Sequence, residues 1–315
     1  MQDNYGRNIN YLRLSVTDLC NYRCIYCMDD DGVEKRNHGD ILSIEELIDI
    51  SKAFVSCGID KIRITGGEPL VRKGVLNLCK GLKAIDGLKE LVMTTNGKML
   101  TEMAADLKSV GIDRLNISLD TLNGEKFRKI TRIGSIEEVF RGLEASFKAG
   151  FDNIKINVVL MAGINDDEIE DFVNFTKDNP VSVRFIELIP IGPCKEWYEE
   201  RYISTSIVLE KAKDLIPVKK DGVAGIYKLQ NATGSVGLIS PISNYFCSEC
   251  NRVRVTADGR LLPCLHSDLE YNLKGLSDIE LKKVFMQAVK NKPIGHHIIE
   301  NRASENSGYM HKIGG

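Results

Sequence analysis

The chain has a single tryptophan, eight prolines and five histidines among its 315 residues. It has no apolar run near the roughly 20 residues that cross a bilayer, and Met1 to Asn10 lacks the apolar stretch of a secretory leader. It also lacks a surplus of charge, because 42 lysines and arginines face 44 acidic residues for a formal net charge of -2. These absences argue against a membrane span, a secreted protein and a general nucleic-acid binder held by bulk electrostatics, but leave room for a local basic pocket. With 43% hydrophobic and 27% charged residues, wholesale disorder and fibrous repeats are excluded as well. The expected setting is the cytoplasm, with neither nucleic acid nor membrane as a partner.

Cysteine is what the chain has in quantity. Nine cysteines in a reducing compartment do not make a disulfide framework. Six fall into two trios, Cys20, Cys24 and Cys27, then Cys247, Cys250 and Cys264. Clustered thiols under reducing conditions point to metal or catalysis. Cys57 and Cys79, on helical segments among apolar neighbours, read as buried bystanders, and so does Cys194 in a loop.

From Ile9 to about Glu187, β-rich runs alternate with amphipathic helical segments. Strands are predicted over 10–17, 60–65, 90–94, 114–119, 153–159 and 181–187, and helices over 44–57, 101–110, 136–149 and 167–178. Ser43-x-x-Glu46 and Ser135-x-x-Glu138 have the form of capping boxes, and Gly58 and Gly150 of left-handed helix stops. Serial β/α units imply a parallel sheet with right-handed crossovers. After Pro193 the pattern loosens to one helix over 206–215, hairpins over 221–237 and, around Trp197, a solvated loop. Two units are expected, 1–220 and 221–315.

Strand parity says what the sheet encloses. Leu12, Leu14 and Val16 share one face, as do Ile62 and Ile64, Leu115 and Ile117, and Ile154, Ile156 and Val158. The opposite face carries Arg13, Lys61, Arg63, Lys155 and Arg184. A doubly wound sheet reads as continuous apolar runs, and a closed eight-stranded barrel fills its interior with branched side chains. Five inward cations suit neither, since a buried unpaired charge is strongly unfavourable. An open, incomplete α/β barrel whose lumen takes a polyanion accounts for them; edge strands with a solvated face are the alternative.

Cys20-x3-Cys24-x2-Cys27 follows the first strand at its carboxyl end, where α/β enzymes place their chemistry. Three thiolates leave a fourth position open, unless zinc borrows a distant ligand such as His38. The spacing, with Tyr26 before the last cysteine, resembles the radical S-adenosylmethionine (SAM) superfamily. That resemblance implies a [4Fe–4S] cluster on the three cysteines, and SAM contacts from Tyr26, Gly67 in Gly66-Gly67-Glu68-Pro69, Ser118 and Ile189. Cys247-x2-Cys250-x13-Cys264 is again three thiolates. His266 could complete a zinc ribbon, but Arg252 and Arg254, on one side of a strand, suit phosphate or carboxylate and favour a second cluster that binds substrate.

Taken together, Gly6-Arg7, Tyr11-Leu12-Arg13-Leu14-Ser15-Val16-Thr17-Asp18-x-Cys20, Arg63-Ile64-Thr65-Gly66-Gly67-Glu68-Pro69, Thr94-Thr95-Asn96-Gly97, Leu115 to Asp120, Cys247-x2-Cys250-Asn251-Arg252-x-Arg254 and the final Gly314-Gly315 closely resemble the GTP 3',8-cyclase family of molybdenum-cofactor biosynthesis. The resemblance implies an incomplete (βα)6 TIM-like barrel whose mouth is closed by a C-terminal α+β region bearing a second [4Fe–4S] cluster on Cys247, Cys250 and Cys264. It implies GTP held by Arg13, Lys61, Arg63, Thr94, Lys155, Arg184, Arg252 and Arg254, the last two also catalytic. Reductive cleavage of SAM at the Cys20, Cys24 and Cys27 cluster would yield a 5'-deoxyadenosyl radical, which takes hydrogen from ribose C3' so that C3' attacks guanine C8. The implied partners are GTP, an external one-electron donor and cyclic pyranopterin monophosphate synthase as recipient of the product, and a homodimer is allowed. The Gly-Gly tail would reach the site near Arg13, Arg252 and Arg254. Ile189, where the family often has Met, and Met28-Asp29-Asp30, where it often has Met-Pro, depart from the pattern.

Overall fold

Each of the six alternating runs forms a strand in this computed structural model, which describes all residues except 34–37, 297, 299–303, 307 and 315. The strands are β1 Tyr11–Ser15, β2 Lys61–Thr65, β3 Glu90–Thr95, β4 Arg114–Ser118, β5 Ile154–Leu160 and β6 Val181–Glu187. Each pairs in parallel with the next. The crossovers carry α1 Ile44–Ser56, α2 Val75–Lys83, α3 Leu100–Ser109, α4 Gly124–Thr131, α5 Ile136–Lys148 and α6 Ile169–Asp178. The aliphatic strand face packs beneath these helices, with Leu12, Leu14, Ile62, Ile64, Leu115, Ile117, Ile154, Ile156 and Val158 all buried.

Local signals set most helix ends. Ser43 and Glu46 form the reciprocal capping box at α1, while Gly58 and Gly150 take φ of 106° and 82°, a region that costs glycine little. The box predicted at Ser135 does not form, because its hydroxyl donates to the nearer Glu137 carboxylate. Trp197 is not in a solvated loop. It is half-buried against a small cluster containing Met161, Leu188, Cys194 and Tyr198.

The chain after β6 returns to both edges of the same sheet. It forms α7 Tyr198–Arg201 and α8 Ile207–Lys211, the latter shorter than predicted, then β7 Ile216–Asp221, β8 Ala224–Lys228, β9 Ser235–Ile239, β10 Arg252–Val255, β11 Arg260–Leu262 and β12 Tyr271–Asn272. β9 runs parallel to β6 and continues into the antiparallel β8 and β7, while β10 runs parallel to β1 and continues into β11 and β12. The order β12-β11-β10-β1-β2-β3-β4-β5-β6-β9-β8-β7 leaves β12 and β7 as its two ends, so the sheet does not close.

Sequence reasoning missed α9, Asp278–Lys290, which packs on α1. Its signals were present, since Ser277 and Glu280 form a capping box, and Leu281, Phe285, Ala288 and Val289 recur on one helical face and are buried. The Phe285 ring lies 4.5 Å from that of Phe54 on α1, tying the C-terminal segment to the first β/α unit. Phe285→Ala should therefore lower unfolding free energy by about 3–5 kcal/mol in urea titration; a loss below about 1 kcal/mol would show that α9 is not part of the common core.

Candidate active site

The polar strand face lines a cavity of about 440 Å³, and every cation that parity assigned to it is there, joined by Arg252 and Arg254. Register arranges them in rows across β10, β1 and β2. Arg254, Arg13 and Arg63 stand side by side, and Arg252, Tyr11 and Lys61 form the adjacent row on the same face. At the roughly 4.8 Å spacing of neighbouring strands, two unit charges repel by about 3 kcal/mol at the effective dielectric of a partly buried site. Burial and then Arg254 hold the Arg13 guanidinium well below its ordinary pKa, and burial with Arg252 brings Arg254 down to about 10. Side-chain atoms on this face, including Arg63 Nε, Arg252 Nε, Asn116 Oδ1 and the Tyr11 hydroxyl, find no hydrogen-bond partner among the described residues. Such a surface accepts a polyanion.

The protein supplies part of the counter-charge itself, which the sequence did not suggest. The Asp221 carboxylate, at the end of β7, sits 2.5 Å from Lys155 Nζ and 2.7 Å from Arg184 Nη2, so these two cations are not left to a ligand alone. Glu90 pairs with Lys61 at 2.5 Å and with Arg114 at 2.8 Å. Arg114 also lines the cavity; it shares the parity of Asn116 and Ser118, so alternation could have found it. Thr94 Oγ1 accepts from Arg63 Nη1 at 3.1 Å. Arg184 passes over Gly237 of β9, where a Cβ would lie 2.3 Å from Arg184 Cδ, so a strand from the far end of the chain must carry glycine there.

The two thiol trios lie at opposite ends of this cation surface. Cys20 follows β1 at its carboxyl end, whereas Cys250 precedes β10, and β11 runs antiparallel to bring Cys264 back to the amino end of β10. β1 has five residues, so a rise of about 3.3 Å each separates the trios by on the order of 15 Å. Both line the one cavity. Burial pushes the Cys20 thiol up to about 11, and burial, then Cys27 and Asp120, takes Cys24 far higher. At Cys250 burial is outweighed by Lys292, Arg252 and Arg7, and the thiol falls below its ordinary value. Three free thiols at each end of the cavity are a donor set that fits an iron–sulfur cluster.

The residues around the first trio are fixed by backbone. Gly67 N donates to Thr17 O and Glu68 N to Leu19 O, at 2.7 and 2.9 Å, and a Cβ on Gly67 would lie 2.4 Å from Leu19 O. The glycine pair thus lies directly against the strand leading to Cys20. The Tyr26 hydroxyl donates to Asp120 Oδ2 at 2.6 Å, and burial brings Asp120 up to about 6. Ser118 and Ile189 also line the cavity, and the Ile189 carbonyl accepts from Ile191 N at 2.8 Å and Cys194 Sγ at 3.1 Å. Cys194 reaches the cavity wall but spends its thiol on these loop carbonyls. In place of Met-Pro, the loop after Cys27 is held by Arg132, which donates to Met28 O at 3.1 Å and pairs with Asp30.

The second trio is braced by residues the sequence left without a role. Arg7, paired with Asp3 at 2.5 Å, donates to Cys247 O at 2.9 Å and Pro293 O at 2.7 Å. Lys292 donates to Arg252 O at 2.8 Å and to Pro263 O. His266 lies 3.2 Å from Ser304 Oγ and edge-on to His296. Burial, His296 and Arg254 bring its pKa down to about 3. Among the described residues no three of His, Cys, Asp and Glu, the two cysteine trios included, converge on a single ion; the cysteines of a cubane each bind a different iron and need not do so. The His38 side chain lies outside those described. Arg254 donates to the carbonyls of Ile313 (3.3 Å) and Gly314, and Arg13 to Gly314 O at 3.3 Å. Gly314 has φ of 76°, and a Cβ there would lie 2.5 Å from Thr65 Oγ1. Gly315 lies outside the described residues.

Residues 14–176 match the model of the radical SAM superfamily and 181–298 that of the molybdenum cofactor synthesis C-terminal family. A structure of Streptococcus suis SuiB bound to S-adenosylmethionine shares the fold, with TM-score 0.64 at 13% identity over 91% of this chain and 67% of that one. The class is thus a radical SAM enzyme. The GTP 3',8-cyclase of Peptoclostridium acidaminophilum is 49% identical over 99% of this chain and 98% of its own. That of Alkaliphilus oremlandii is 45% identical over the whole of both. The chain belongs to the GTP 3',8-cyclase family.

Asp221→Asn removes the carboxylate shared by two cations. Its side chain is 44% exposed, so solvent screens part of the effect, and stability without a bound anion should fall by about 1 kcal/mol. Affinity for inorganic triphosphate should rise, since an internal competitor is gone. Calorimetric melting and equilibrium binding check the two signs; weaker triphosphate binding would contradict them.

Proposed function

We infer that this chain carries out the SAM-dependent cyclisation of GTP to (8S)-3',8-cyclo-7,8-dihydro-GTP, the first step of molybdenum cofactor biosynthesis. The observation that carries the reading is a cation surface lying between two half-buried thiol trios that line one cavity. Cys20, Cys24 and Cys27 would hold one [4Fe–4S] cluster, with SAM against Tyr26, Gly67, Ser118 and Ile189, and Cys247, Cys250 and Cys264 the other. When bound, the clusters and SAM supply reductive cleavage to a hydrogen-abstracting adenosyl radical and an open iron for the purine.

The protein's own part is positioning. Arg13, Lys61, Arg63, Thr94, Lys155 and Arg184 would take the triphosphate, and Arg252 and Arg254 the nucleotide end nearest the second trio. Fixing both ends of the nucleotide presents ribose C3' to the radical, and a bimolecular encounter becomes a preset one. A nucleotide seated between the trios would exclude water and stray hydrogen donors from the reacting atoms. Asp120 orients Tyr26. Gly314 O gives Arg13 and Arg254 an acceptor that keeps both side chains extended towards the lumen. On this reading residues 1–220 would serve SAM and 221–315 the second cluster, the boundary falling within β7 of the one sheet. An external one-electron donor, transfer of the product to cyclic pyranopterin monophosphate synthase and a cytoplasmic setting belong to the same reading.

Anaerobic reconstitution should load about eight irons per chain as two cubanes. Dithionite, SAM and GTP should then give 5'-deoxyadenosine and cyclised GTP by chromatography. Cys24→Ala should hold about four irons and form no deoxyadenosine. Deoxyadenosine formed without loss of GTP would mean that the substrate is another molecule.

Deleting Gly314 and Gly315 should abolish turnover and leave iron content unchanged, because the cysteines are untouched while Arg13 and Arg254 lose the Gly314 carbonyl they share. Activity surviving the truncation would sink the assigned role of the tail.

A further inference from the structure

At the centre of the cation surface stands Tyr11, a residue with no assigned role. It lies on β1 between Arg252 of β10 and Lys61 of β2 in register. Lys61 Nζ is 5.0 Å from its ring centroid, Arg63 Cζ 5.7 Å and Arg252 Cζ 5.9 Å. The residue is 6% exposed and lines the cavity, and its hydroxyl has no hydrogen-bond partner among the described residues. Lysine and arginine carry donors only, so these neighbours cannot satisfy a phenolic O–H. A buried donor left unmet is unfavourable. The acceptor that completes it must come from outside, and in the field of several cations an anionic oxygen is favoured over a neutral hydroxyl.

We propose that Tyr11 is a substrate-binding residue whose phenolic hydroxyl donates a hydrogen bond to an anionic oxygen of the nucleotide's polyphosphate. The proposal rests on GTP being the substrate. It makes Tyr11 the one neutral donor in these two rows, beside the guanidiniums of Arg13, Arg63, Arg252 and Arg254 and the ammonium of Lys61.

A pH signature follows. Burial raises the phenol's pKa, but Arg63, Arg13, Arg252 and Lys61 outweigh it and bring the group down to about 8. The charged groups facing it are Arg13, Arg63, Arg252, Arg254 and Lys61; burial and mutual repulsion hold Arg13 well below its ordinary value and bring Arg254 to about 10, and Lys61 is paired with Glu90. Above that pH the donor is lost and a phenolate repels the polyanion, so affinity falls. Lys155 on β5, brought down to about 8 by burial and Arg184, discharges over the same range and also weakens binding. The wild type's ratio of GTP to guanosine affinity, in which the guanine's own ionisation cancels, should therefore fall as pH rises through about 8, with Tyr11 and Lys155 both contributing.

The test is equilibrium binding of GTP and of guanosine by anaerobic, cluster-loaded protein between about pH 7 and about pH 9.5, comparing wild type, Tyr11→Phe and Lys155→Met. Tyr11→Phe should bind GTP on the order of tenfold more weakly at neutral pH, bind guanosine as wild type does, and show a shallower fall of the GTP-to-guanosine affinity ratio through about pH 8 than wild type. GTP affinity within about twofold of wild type, or guanosine weakened as much as GTP, overturns the proposal. Should Tyr11→Phe fail to load its clusters, the GTP-to-guanosine affinity ratio of Lys155→Met decides: a ratio that still falls through about pH 8 supports the proposal, and one that is flat there overturns it. A wild type that binds no GTP at all defeats the substrate reading itself, a result distinct from a GTP-binding wild type matched by Tyr11→Phe.

Discussion

Like charges held side by side by strand register are the constraint on which the site depends. β10, β1 and β2 run parallel and in step, so Arg254, Arg13 and Arg63 cannot separate without breaking the sheet. The same backbone puts Leu12, Leu14, Ile62, Ile64, Val253 and Val255 on the other face, where all are buried. Each such burial contributes about 1.5–3 kcal/mol, enough together to offset the repulsion within the rows. The core therefore stabilises an arrangement that the cations alone would disperse.

Such a surface is useful because it is set before the ligand arrives. Charges fixed by the fold need no rearrangement at the moment of reaction, and a low-dielectric wall strengthens their effect. Complete exposure of that much positive charge is avoided by weak internal partners: Asp221 for Lys155 and Arg184, Glu90 for Lys61, and the Gly314 carbonyl for Arg13 and Arg254. Each is a single carboxylate or carbonyl. A triphosphate, with several anionic oxygens at once, outcompetes them.

Much of this was legible residue by residue. The six strands, four of the helices and the inward cations follow from alternation, and the trios from spacing. Arg114 follows the same parity, opening β4 as Lys61 opens β2. The capping box at Ser135 misled because a nearer carboxylate, Glu137, took its hydroxyl. Asp221 could not have been found. It sits in a hairpin with no motif, and its partners lie 66 and 37 residues away.

The sequence by itself determined which side chains share a face, since alternation is a property of each strand's own backbone, and which cysteines act together, since their spacing is local. Tertiary structure alone decided that β10 lies beside β1 and β9 beside β6, that the two trios face each other across the cation rows, and that the chain's last residues meet its first strand. Backbone hydrogen bonds are the same for every strand, so no local signal says which edge a returning segment will choose. That choice is made by the packing of whole faces, such as α9 on α1, and it is what turns two separate sets of thiols and arginines into one site.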